Sequence, residues 1–156
     1  MSTGQYFRAN VGAVVCNGAG DVLALQRRGK PGAWQLPQGG LDEGEDPSRA
    51  ALRELCEETG IAESDVELIA EHPRWLAYEL PAEMRSKRTG RGQVQKWFLF
   101  RLRADVPIDL SQAEHDEFDA HKWTRLEALA REVWQVRRHV YDELLEAFAP
   151  HLEGPA

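Results

Sequence analysis

Residues 39–61 constrain this chain more than any other stretch: Gly-Gly-Leu-Asp-Glu-Gly-Glu-Asp-Pro-Ser-Arg-Ala-Ala-Leu-Arg-Glu-Leu-Cys-Glu-Glu-Thr-Gly-Ile. Pro37, Gly39, Gly40 and Gly44 predict irregular backbone at its start. A helix follows. Asp46 can cap it, Pro47 suits its first position and Gly60 can end it. On that helix Glu54, Glu57 and Glu58 stand at i, i+3 and i+4, so three carboxylates share one face. At about 100° per residue, Ala51, Leu52, Leu55, Cys56 and Thr59 fall on the opposite face. The helix can pack an apolar stripe and present clustered negative charge. Like charges at this spacing weaken an isolated helix, and they become favourable around hard divalent cations, which prefer oxygen ligands. On these residues alone, an exposed acidic face is the alternative.

The rest of the chain sets the frame. At 156 residues, one domain with one well-sized core is expected, spanning 1–156 with its core at about 7–148. A composition 42% hydrophobic and 29% charged excludes a disordered or membrane-embedded chain. The net charge of -7 argues against a non-specific nucleic-acid binder, but it is unevenly spread. Residues 39–61 carry seven acidic against two basic side chains, whereas 1–38 carry four basic against one acidic and 71–103 eight basic against three acidic. The two cysteines, Cys16 and Cys56, make neither a disulfide framework nor a zinc spacing. The first residues lack a signal h-region, and no apolar run reaches membrane-spanning length, so the cytoplasm is the expected compartment.

Runs at 11–16 and 21–26, joined by Asn17-Gly18-Ala19-Gly20, predict a hairpin. Strands are expected at 66–70, 75–80, 93–103 and 120–124, with a basic loop at 81–92 and an acidic loop at 111–119. Val133, Val136, Val140, Leu144 and Phe148 recur at helical spacing in a C-terminal helix. This mixture favours an α/β fold, a mixed sheet covered by helices on both faces.

Gly39, Glu45, Arg53, Glu54, Leu55, Glu57, Glu58, Gly60 and Ile61 match every specified position of the Nudix box. The chain thus resembles the Nudix hydrolases, which act on nucleoside diphosphates linked to another moiety. The resemblance implies an α/β/α sandwich with a central mixed sheet, the box forming a loop, helix and loop. It implies that Glu54, Glu57 and Glu58 bind a divalent metal, Mg²⁺ with Mn²⁺ as a substitute, and that the Gly39 carbonyl joins them. Metal ions polarise the P–O bond and lower the pKa of bound water. Arg53 would orient a box carboxylate through a forked hydrogen bond, and Glu45 would brace the loop. Glu117 resembles a later-loop Glu of the nearest subfamily, as a further metal ligand or the general base. Glu57 is the leading base candidate within the box.

Flanking motifs refine the resemblance. Trp34-Gln35-Leu36-Pro37-Gln38-Gly39-Gly40 resembles bacterial RNA pyrophosphohydrolases and plant-type diadenosine polyphosphate hydrolases. Tyr78, seventeen residues after Ile61, resembles the dinucleoside polyphosphate branch, whereas Arg8-x-Asn10-Val11-Gly12, Gly92-Gln93-x-Gln95-Lys96-Trp97-Phe98 and Glu117-Phe118-Asp119 resemble the RNA pyrophosphohydrolase group, and the likeness runs from about Phe7 to Phe148. Arg27, Arg28, Lys96 and Arg137 are candidates for substrate phosphate or base contacts, with Gln95 from the same motif and Tyr78 offering a hydroxyl or a stacking face. The aromatic expected near Val136 is absent, and Trp34 and Trp97 are expected in the core. Three readings stay open: removal of pyrophosphate from tri- or diphosphorylated RNA 5′ ends, asymmetric cleavage of diadenosine tetraphosphate, and a non-catalytic nucleotide-sensing module. No membrane and no obligate protein partner is expected, and the chain is expected to be a monomer.

Overall fold

The computed structural model describes residues 6–153. The outermost residues of the expected 1–156 domain, including the first five of the leader reading, lie outside the described residues. Strand β1 (Phe7–Cys16) runs parallel to β7 (Gly92–Leu102) over ten residue pairs. These two strands form the middle of an eight-stranded mixed sheet. On the β7 side, β5 (Val66–Glu71) and β6 (Leu76–Glu79) pair antiparallel with it. On the β1 side, β2 (Val22–Arg27) pairs with β3 (Trp34–Gln35) and with β8 (Phe118–Thr124), and β4 (Gln38–Gly40) pairs with β1.

Alternation along β1 and β7 divides the core into two layers. Val11, Ala13, Val15, Phe98 and Phe100 pack against Ala50, Ala51 and Leu55 of α1 (Pro47–Thr59). Val14, Cys16, Trp97 and Leu99 pack against α2 (Leu126–Glu132) and α3 (Arg138–Leu152). Helices therefore cover both faces, as the α/β/α expectation requires. Cys16 and Cys56 are free thiols, and burial raises the pKa of both. Among the described residues, no helix is long and apolar enough to cross a membrane.

Three expectations are corrected. Residues 11–16 and 21–26 form the expected antiparallel hairpin only at its turn end. The turn closes through the Asn17 side chain, which accepts from the Ala19 and Asp21 amides, but β1 and β2 pair only at Cys16 and Val22. The long partner of β1 is β7, far away in sequence. The acidic loop also ends earlier, since Phe118 and Asp119 already belong to β8. Finally, the C-terminal helix is two helices. Val133 is extended and Trp134 is also non-helical, and a short 3-10 turn at Gln135–Arg137 leads into α3. Val133 and Val136 still reach the same core layer, so the helical spacing survives the break.

Candidate active site

Helix α1 starts and stops where its sequence dictates. The Asp46 carboxylate accepts from the Arg49 amide, and Gly60 closes the helix in the left-handed region at φ 78°. Burial of the Ala50, Ala51 and Leu55 stripe fixes the rotation of the helix. Glu54, Glu57 and Glu58 then face a cavity of about 440 Å³ whose opposite wall includes Gly39 of β4 and Glu117. Backbone and acid meet closely here. A Cβ at Gly39 would lie 2.0 Å from the Glu54 carboxyl carbon, so any side chain there would displace the Glu54 carboxylate.

Arg53 organises this acidic wall. Its Nε and Nη2 form a fork on Glu45, each 2.9 Å from a carboxylate oxygen. Its Nη1 donates to Glu54 at 3.0 Å and lies 3.3 Å from Glu57, and Nη2 also reaches the Gly40 carbonyl at 3.1 Å. The fork thus goes to Glu45, while the remaining nitrogen links the two helix carboxylates. These contacts hold the Arg53 pKa above its ordinary value and the Glu45 pKa below it.

Glu58 has no such partner. It is only 3% exposed, and its Oε2 makes no hydrogen bond. Burial pushes its carboxyl up to about 9, with the Glu54 and Glu117 charges adding to the effect. Burial also raises Glu54. A buried carboxyl facing other carboxylates is costly unless a cation joins them. The donor set is all oxygen, which suits a hard divalent cation. The orphaned Glu58 oxygen and the close Gly39 backbone therefore fit the implied metal. Among the described residues, ligand atoms of Glu57, Glu114 and His115 also lie within 4.8 Å of one another.

A second cavity of about 540 Å³ adjoins the first, and Arg8, Arg27, Gln35 and Gln93 line both. Its wall is basic and aromatic. The Arg137 guanidinium lies 5.3 Å from the Tyr78 ring and 5.7 Å from the Trp134 ring, and its Nη1 donates to Gln35. Tyr78 is buried, and its hydroxyl donates to Gln93.

The cavities thus gather Glu54, Glu57, Glu58, Glu117, Gly39, Arg27, Tyr78 and Arg137. Three expected substrate contacts lie elsewhere. Arg28 is turned away and paired with Asp116 at 2.5 Å. Lys96 donates to the His72 carbonyl at 2.5 Å and neighbours Glu71, because alternation along β7 points it away from Gln93 and Gln95. Gln95 is 1% exposed and donates to Asn10 and Gln38, so it braces cavity residues rather than lining the cavity. Trp97 is buried in the core as expected, whereas Trp34 also lines the second cavity beneath the Lys122 ammonium.

Sequence reasoning gave no role to Arg8, Asn10, Gln38 or Gln93. The parallel β1–β7 register, which sets Arg8 beside Gln93 and Asn10 beside Gln95, brings them together. Trp134 belongs to the C-terminal stretch, with Val136 and Arg137, where the resemblance places base-pocket residues. It is 40% exposed at the helix break, two residues before the position where an aromatic was sought.

Comparison with known proteins agrees with this geometry. The NUDIX domain family matches residues 6–144. An RNA pyrophosphohydrolase of Cereibacter sphaeroides is 44% identical over 151 residues, covering 94% of this chain and 93% of that protein. One from Pseudoalteromonas translucida is 41% identical, covering 96% and 89%. Two solved structures share the fold. A C. elegans Ap4A hydrolase complex superposes with TM-score 0.69 at 23% identity, covering 92% of this chain and 98% of that one. The E. coli dihydroneopterin triphosphate pyrophosphohydrolase gives 0.71 at 24% identity, covering 92% and 99%. With a family match along most of its length and full-length relatives above 40% identity, this chain belongs to the Nudix family.

Proposed function

We propose that this chain is a metal-dependent pyrophosphohydrolase that removes pyrophosphate from RNA 5′ triphosphate ends and hydrolyses the same bond of diphosphate ends, which then release orthophosphate. The observation that carries this reading is the continuity of the two cavities. An acidic chamber able to hold divalent cations opens, past Arg8 and Arg27, into a basic and aromatic one. A 5′-phosphorylated nucleotide has the matching layout, with a polyphosphate at one end and a flat base at the other. The names of the curated relatives support the same reading.

Glu54, Glu57, Glu58 and Glu117, with the Gly39 carbonyl, would hold the cation, Mg²⁺ in the first instance with Mn²⁺ as a substitute. When bound, it neutralises the phosphate oxygens and increases the acidity of water. Arg53 keeps Glu54 and Glu57 in place by its hydrogen bonds. Glu57 takes the proton from the attacking water, with Glu117 as the second candidate for that role. The water oxygen bonds to phosphorus as the bridging P–O bond breaks. A triphosphate end leaves as pyrophosphate plus 5′-monophosphate RNA. Arg8 and Arg27, where the cavities meet, bind phosphate oxygens. Tyr78, Trp134 and Arg137 form the wall for the first base.

Cleavage of diadenosine tetraphosphate is the second reading, because the stacking wall suits an adenine equally. The sensing-module reading is disfavoured, since every box carboxylate is present and faces the cavity or Arg53. Parallel incubations with Mg²⁺ and 5′-triphosphate RNA, diadenosine tetraphosphate or ADP-ribose test the proposal. Faster turnover of the RNA supports it. Preference for either small molecule, or no product from any substrate, overturns it.

A further inference from the structure

We propose that Glu57, Glu114 and His115 form a second cation site, one that takes a transition-metal ion such as Zn²⁺ in preference to Mg²⁺. The three offer one imidazole nitrogen and two carboxylate oxygens, all within 4.8 Å of one another. The imidazole Nε2 already stands 3.8 Å from Glu57 Oε2. Ligand atoms bound to one ion at about 2 Å stand roughly 3 to 4 Å apart, so small side-chain rotations close the set.

The chemistry differs from that of the neighbouring carboxylates. Mg²⁺ prefers oxygen donors and keeps several waters, whereas an imidazole favours Zn²⁺ and related ions. His115 lies in the loop before β8, and the Glu114 amide donates to the Glu57 carbonyl at 2.8 Å, which pins that loop to the end of α1. His115 and Glu57 also line the cavity containing the buried Glu58, whose Oε2 lacks a partner. The site shares Glu57 with the proposed active site and is otherwise built from residues given no part in hydrolysis.

Calorimetric titration of Zn²⁺ into protein already saturated with Mg²⁺ tests this, with wild type compared with His115→Ala and Glu114→Gln. Each substitution is expected to weaken Zn²⁺ binding at least about ten-fold while Mg²⁺-supported hydrolysis stays within about two-fold. In wild type, Zn²⁺ should shift the His115 imidazole resonances, a readout that survives if either variant folds poorly. Unchanged Zn²⁺ affinity in both variants, or an unshifted His115, overturns the site. Hydrolysis with Mg²⁺ alone is read on the same samples. Its failure counts against the proposed function, whereas failure of the zinc experiment removes only this site.

Discussion

Replacing Glu58 by Gln separates the two forces acting on the buried carboxyl. Burial and the Glu54 and Glu117 charges push this group from 4.5 up to about 9. Below its ordinary value the carboxyl is protonated whether the chain is folded or not. As pH rises above that value, the unfolded chain releases the proton and the folded, metal-free protein keeps it until about pH 9. The unfolded state then binds fewer protons, so stability falls as pH rises. One full proton corresponds to about 1.4 kcal/mol per pH unit, or roughly 3 to 6 °C in Tm for a chain of this size. A divalent cation needs the ionised group, so its stabilisation should grow over the same range. Glu58→Gln keeps the shape and removes the titration. Melts followed by circular dichroism in chelator, at about pH 6 and about pH 8, should show a steeper decline for wild type than for the variant. With Mg²⁺ added, wild type should recover more at the higher pH and the variant little. Equal pH slopes for the two proteins in chelator would refute this account of Glu58.

Other substitutions probe single contacts. Gly39→Ala places a Cβ against the Glu54 carboxyl and should lower kcat about 10- to 100-fold, with far-UV circular dichroism retained. Arg53→Lys loses the fork on Glu45 and should weaken Mg²⁺ binding, measured by calorimetry, while Arg53→Ala should weaken it further. Trp134→Ala removes a stacking face worth about 1 to 3 kcal/mol and should raise KM for RNA with a smaller change in kcat. Glu57→Gln and Glu117→Gln, assayed at saturating Mg²⁺, should each lower turnover, with the general base falling by about 10²- to 10⁴-fold.

The legible part of this protein was local. Asp46, Pro47 and Gly60 bound α1 as their residue types demand, and the spacing of Glu54, Glu57 and Glu58 brought all three to one cavity, with Glu58 buried beside the apolar stripe. The Gly39 carbonyl was expected beside the box carboxylates, and its backbone proved to lie against Glu54. Long-range pairing was less legible. Nothing near residues 11–26 signals that β1 pairs in parallel with a strand some eighty residues later, and the turn chemistry of Asn17 favours the local hairpin. That register decides which polar residues meet. It brings Arg8, Asn10 and Gln93 to the cavities and leaves Gln95 beneath them. Lys96 shows the same effect. A basic residue within a matching motif suggested phosphate contact, but strand alternation assigns it to the other face. The placement of Trp134 was not legible because the pattern read as one continuous helix, and the break at Val133 exposes it over the second cavity.

The most direct test of the proposed chemistry is the product released from 5′-triphosphate RNA carrying a label on its terminal phosphate, with an equal concentration of diadenosine tetraphosphate present. With Mg²⁺, the label should leave as pyrophosphate and the RNA should keep a single 5′ phosphate. Release should stop in chelator and in Glu54→Gln. Label appearing only as orthophosphate, intact RNA beside consumed dinucleotide, or undiminished release from Glu54→Gln would contradict cleavage at this carboxylate chamber.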